Sequence, residues 1–120
     1  MYDVQQSPGY CIECWPLDTV VNDLNTIGLV IDVFPGARKS CDPLSNLKSS
    51  SHLLYAVAAL YAKENRLNDC LVLNTDGNIA DSTLANIFFI REKKIITPPL
   101  TQGCIAGVMR RYLIEILDST

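Results

Sequence analysis

The sequence predicts an α/β (α+β) domain, and three observations carry that reading. Short β-branched and aromatic runs alternate with two amphipathic stretches long enough to be helices. The length of 120 residues fits one domain and leaves little room for two. Apolar residues make up 48% and charged residues only 19%, which excludes a disordered chain, a coiled coil or a low-complexity filament. The same balance points to apolar surface meant for a partner.

The elements follow in order. Residues 10–15 and 27–34 (IGLVIDVF) read as strands, with the segment between them ambiguous. Pro35-Gly36 breaks the second strand, and 35–48 run as an irregular loop ending in Asn46-Leu47-Lys48. Ser49, Ser50 and Ser51 are candidate caps for a helix over about 51–66. Leu53, Val57, Leu60 and Tyr61 share one of its faces, with Leu54 and Ala58 beside them. Residues 70–73 (CLVL) are apolar on both faces, as in a buried strand. Asn74-Thr75-Asp76-Gly77 is a hairpin turn, since Asp-Gly suits positions that need positive φ. A strand over 86–91 turns at Glu92-Lys93-Lys94 and returns through 95–97, where Pro98-Pro99 stops it. A last helix runs from about Ala106 to Leu117.

Charge and leader signals narrow the function. Ten Lys and Arg stand against 13 Asp and Glu, a net charge of −3, with no basic block. Such a chain is a poor partner for nucleic acid or an anionic membrane. No apolar run approaches the ~20 residues of a membrane span. The opening MYDVQQSPGY lacks the basic and apolar regions of a secretory leader, so a cytoplasmic location is expected.

Five cysteines, at 11, 14, 41, 70 and 104, are odd in number and widely spaced, as for reduced thiols. Cys11 and Cys14 form a C-x-x-C. Read on a strand, they face opposite sides. No second such pair exists and His52 is the only histidine, so small buried side chains are the better reading than metal or redox chemistry.

The stretch from 48 to 110 says more. Asp81-Ser-Thr-Leu-Ala-Asn86-Ile-Phe88 is followed by a hairpin, by Ile95-Ile-Thr97-Pro-Pro, and by Ile105-Ala-Gly107-Val-Met-Arg110. Upstream lies Asn46-Leu47-Lys48. Over about 37–118 this order and spacing resembles the class IV aminotransferases, the pyridoxal-phosphate enzymes of fold type IV. They include branched-chain aminotransferase, D-amino acid transaminase and aminodeoxychorismate lyase. The resemblance implies a mixed β-sheet with packed helices, part of the C-terminal, large cofactor-binding domain of that fold. It also implies pyridoxal 5'-phosphate as cofactor, an amino acid or aminodeoxychorismate as substrate, and a homodimer.

The resemblance assigns roles to residues. Lys48 matches the Schiff-base lysine. Only lysine carries a primary amine on its side chain, and desolvation makes that amine nucleophilic. Asp81 stands where the family places a Glu that keeps the pyridine nitrogen protonated. It is one methylene shorter, so it must sit closer or act through water. Gly107, Val108 and Met109 open the last helix, where free N–H groups and the helix dipole favour a phosphate. Leu84 and Ile105 match positions that approach the cofactor. Asn86 is read as fixing local backbone, Arg110 and Arg111 as surface or partner contacts, and Lys39, Lys63, Lys93 and Lys94 as turn or wet-face lysines.

Two departures tip the reading toward a lyase. Family transaminases typically carry Gly-Ile-Thr where Gly107-Val108-Met109 stands, and those of branched-chain type often carry a Tyr where Leu53 stands. A branched-chain or D-amino acid transaminase is the alternative, and a non-catalytic folded remnant or dimerisation module is the alternative of another class. The family's smaller N-terminal domain and the end of its large domain are expected to be absent, so that 1–120 form one partial domain with little activity alone.

Overall fold

A computed structural model of the chain describes residues 9–19 and 23–118. Most of the opening stretch read for a leader, residues 1–8, and residues 20–22 of the ambiguous segment lie outside it.

The centre is a mixed three-stranded sheet in the order β1-β2-β3, made of Ile31–Val33, Asp69–Leu73 and Ile79–Ser82. β1 runs parallel to β2, with Ile31 opposite Asp69 and Val33 opposite Leu71. A parallel pair needs a crossover, which α1 (Leu53–Glu64) supplies. β3 returns antiparallel to β2 through the turn at 74–77, where Gly77 adopts φ +82°. The expected hairpin is therefore present, and only glycine takes that φ without strain. A separate hairpin, β4 (Phe89–Arg91) and β5 (Lys94–Ile96), turns on Glu92 and Lys93, both at positive φ. The last helix, α2, spans Val108–Asp118.

The strand expected over 27–34 shrinks to 31–33. The Asn25 side chain accepts the N–H groups of Ile27 and Gly28, and Gly28 sits at φ +83°, so 25–28 is a turn. The strand expected over 10–15 is not formed. The segment is irregular and exposed, and Cys11 and Cys14 are exposed free thiols, not small buried side chains. No group of metal-ligating residues surrounds them among the described residues.

α1 packs on the sheet by a different face from the one expected. Ala58 and Ala62 are buried against Phe34, Cys70 and Val72, with Leu54, Tyr55, Tyr61 and Leu67 around them. Leu53, Val57 and Leu60 are exposed. Two alanines one turn apart let the helix approach the sheet closely, and the aromatic rings then fill the flanks. Phe34 meets Tyr61 edge-on, with ring centroids 5.7 Å apart. His52, not a serine, occupies the cap position and makes no side-chain cap bond, while the Ser49 hydroxyl accepts the Ser51 N–H. β2 buries Cys70 and Val72 fully and leaves Leu71 and Leu73 half-buried, so one face of that strand is more open than expected. No helix of the described residues is long and apolar enough to cross a membrane.

Candidate active site

The site is assembled by three loops tied to one another through side-chain amides. Asn46 Nδ2 donates to the carbonyls of Leu100 and Cys104 at 2.9 and 2.7 Å, and the Asn46 carbonyl accepts Ala106 N–H at 2.9 Å. These bonds set Lys48, two residues on, beside the start of α2. Asn86 Nδ2 donates to the Ile105 carbonyl at 2.8 Å and reaches Asp81 Oδ1 at 3.2 Å. Asn86 thus fixes backbone, as expected, and steadies a carboxylate besides.

Between these loops lies a cavity of about 580 Å³. Its wall includes Lys48, Asp81, Leu84, Ile105, Gly107, Val108 and Met109, the residues that the resemblance sets against the cofactor. Lys48, Leu84, Val108 and Met109 are exposed at its rim, whereas Asp81 is buried at 2% exposure. The desolvation expected at Lys48 is not supplied by the described residues of this chain.

Asp81 is the best-connected side chain of the site. Its Oδ2 accepts from Lys39 Nζ at 2.8 Å and from the Tyr55 hydroxyl at 2.9 Å. The Ile105 N–H is shared between both oxygens at 3.1 and 3.2 Å. A carboxylate has about four lone-pair sites, so Oδ2 is fully engaged and Oδ1 holds only longer bonds. Burial, followed by the charge and the hydrogen bond of Asp81, pushes the Tyr55 hydroxyl well above the ordinary tyrosine range. Tyr55 therefore stays a donor. Burial likewise raises the Cys104 thiol, which points to the carbonyl of Pro98.

Two readings of basic residues need correction, at Lys39 and Arg110. Lys39 is not in a wet turn; it is 7% exposed and paired with Asp81. Its backbone continues the parallel ladder beyond β1, donating to Leu73 and accepting from Thr75, and this turns the side chain inward. Arg110 is not a surface contact. It lines the cavity, donates to the Pro98 carbonyl at 2.8 Å, and buries its Nε. Arg111 is exposed, with Glu115 one turn on, as expected of a surface arginine. Tyr55 went unnoticed because nothing in local periodicity separates a tyrosine facing a carboxylate from one filling a core.

The family match falls on this architecture. The sequence model for amino-transferase class IV matches residues 35–120. The chain belongs to that family. Among its relatives, an aminodeoxychorismate lyase of Vibrio harveyi is 30% identical over 76 residues, covering 63% of this chain and 28% of that protein. A probable branched-chain-amino-acid aminotransferase of Rickettsia felis is 33% identical over 82 residues, covering 66% and 28%. The chain thus spans little more than a quarter of the length of these curated relatives. In fold, the PLP-form of a branched-chain amino acid aminotransferase from Thermobaculum terrenum superposes with a TM-score of 0.72 over 83% of this chain and 32% of that one, at 24% identity. The mixed α/β architecture of this class IV chain is therefore that of the fold type IV enzymes.

Proposed function

We propose that the chain is the lysine-bearing part of the large domain of a pyridoxal-phosphate enzyme acting on an amino-acid substrate, with aminodeoxychorismate lyase as the leading activity. The observation that carries this reading is the cavity that joins Lys48, Asp81 and the start of α2. Its volume lies in the range of small-molecule sites. A primary amine, a buried carboxylate and the free N–H groups of a helix start are the donor set that an aldehyde, a pyridine nitrogen and a phosphate require. Gly107 fits as well, since a Cβ there would collide with Asn86 Oδ1 and disturb the approach to the helix.

Pyridoxal phosphate supplies an electron-accepting ring that stabilises negative charge at the substrate α-carbon. In this reading Lys48 anchors the group and later moves a proton at that carbon. Asp81 would accept the ring N–H and hold the proton on that nitrogen. The backbone N–H groups of Val108 and Met109 receive the phosphate, aided by the dipole of α2. Leu84 and Ile105 would offer apolar surface to the ring.

Leu53 and Met109 support the lyase over a transaminase, because neither offers the hydroxyl that family transaminases place there. The relative from Rickettsia felis keeps a branched-chain transaminase as the second reading. A cytoplasmic homodimer completes the proposal. Its support is the exposed apolar row Leu53, Val57 and Leu60 on α1.

The test is reductive trapping. The chain is mixed with pyridoxal phosphate, reduced with borohydride and mapped by mass. The pyridoxyl group is expected on Lys48. Even labelling of Lys63, Lys93 and Lys94, or a colourless chain with no adduct, would refute the reading and favour a non-catalytic module.

A further inference from the structure

Lys39 is a buried cation bonded to the carboxylate of the site, and the proposed chemistry leaves it without a task. Its placement is strongly built. Leu73 and Thr75 hold its backbone on the sheet, and the ammonium lies 5.2 Å from the Tyr55 ring centroid and 2.8 Å from Asp81 Oδ2. The neighbouring Ser40 carbonyl lies against Gly103, where a Cβ would collide with it, so the segment packs closely on the loop that carries Cys104.

We propose that Lys39, aided by Tyr55, is a positioning residue that acts through Asp81 and sets how firmly the site holds a proton on the ring nitrogen of a bound cofactor. This rests on the reading of the cavity given above. An isolated carboxylate presents a full negative charge to a nearby nitrogen and raises its proton affinity. A carboxylate with an ammonium on its other oxygen presents a weaker field, closer to that of a dipole. Lys39 and Tyr55 take Oδ2 with the shorter bonds, and Oδ1 holds only the longer ones from Asn86 and the Ile105 N–H, which an incoming N–H would share or displace.

The other groups around the carboxylate do not change the sign. Tyr55, from α1, is a neutral donor. Asn86 and the Ile105 N–H, from the loops before β4 and α2, are uncharged. Cys104 is held as a neutral thiol by burial, and it lies within electrostatic reach of Asp81, Lys39 and Arg110. Lys48 and Arg110 line the same cavity and are unchanged in every variant below, so they contribute equally to the parent and the variants.

The experiment loads the 120-residue chain with pyridoxal phosphate carrying ¹⁵N in the ring and follows that nitrogen by NMR across pH. Lys39→Gln keeps a donor for Oδ2 but removes the charge. It should move the nitrogen's titration upward by about one pH unit, a tenfold gain in proton affinity. Lys39→Arg should leave the midpoint near that of the parent. Tyr55→Phe, which removes a donor and no charge, should move it upward by less. If the Lys39 variants do not fold, the Tyr55→Phe shift decides in their place. A loaded chain whose midpoint stays put in both Lys39→Gln and Tyr55→Phe overturns the role of Lys39 alone. A parent chain that takes no cofactor on Lys48 overturns the reading of the cavity and this proposal with it.

Discussion

Asn46 and Cys104, far apart in sequence, are joined by a 2.7 Å bond from the Asn46 side-chain amide to the Cys104 carbonyl. The same amide reaches Leu100, and the Asn46 carbonyl takes the Ala106 N–H. One residue thus connects the Lys48 loop to the loop that opens α2. Asn46→Ala removes both side-chain bonds and leaves the part-buried Cys104 carbonyl without this donor, at a cost of about 1–3 kcal/mol. The expected outcome is a lower urea midpoint and weaker pyridoxyl trapping at Lys48. Asn46→Asp should be no better, because a carboxylate cannot donate to two carbonyls.

The Lys39–Asp81 pair is buried at 7% and 2% exposure, so its members depend on each other. Removing one partner leaves an uncompensated charge in the interior, which typically costs about 3–5 kcal/mol. Lys39→Met and Asp81→Asn should each destabilise the chain strongly. The double variant should lose clearly less than the sum of the two, because neither charge is then stranded. Denaturant unfolding of the four chains closes this cycle, and additive losses would show that the pair is not coupled.

The contrast between Lys48 and Lys39 shows what was legible in the sequence. Lys48 stands out because its spacing to Asp81 and to Gly107 is a property of the chain itself. The burial of Lys39 depends on an extension of the parallel ladder that joins it to Asn74, a pairing with no local signature. The face of α1 was misread for a related reason. The helix meets the sheet through Ala58 and Ala62, and small residues carry little weight in a hydrophobic pattern. The hairpin turns were legible because Asp76-Gly77 carries its own geometry. The run at 10–15 had strand composition, but no described neighbour pairs with it.

Tyr55 gives the fold an alkaline limit. Its hydroxyl is raised above the ordinary tyrosine value by burial, by the Asp81 charge and by the bond to Asp81. The folded state therefore binds that proton more tightly than the unfolded chain does. The resulting stability is fully present below about pH 10, the unfolded tyrosine value, and is lost as pH rises beyond it toward the folded value. Urea midpoints measured from pH 7 to 11 should fall above pH 10 in the parent chain. In Tyr55→Phe that fall should be smaller, although the variant starts lower at neutral pH for want of one hydrogen bond to Asp81. Identical slopes in the two chains would exclude Tyr55 as the cause.

Gly103 closes the short 3₁₀ turn at Leu100–Gln102 and stands at φ +79°. Two independent demands meet there. The left-handed conformation costs a residue with a side chain about 1–3 kcal/mol. A Cβ would in addition run into the Ser40 carbonyl, a backbone atom that cannot swing aside. Gly103→Ala should therefore destabilise the chain by more than the conformational cost alone. Any relief must come from parting the segment at 39–41 from the loop at 100–104, and these carry Lys39 and Cys104. The Gly77→Ala variant separates the two demands, since Gly77 has nearly the same φ, +82°, and open space where a Cβ would go. Gly77→Ala is expected to lower the unfolding midpoint modestly and leave pyridoxyl trapping at Lys48 intact. Gly103→Ala is expected to lower both, and equal losses in the two variants would show that the contact with Ser40 carries no weight.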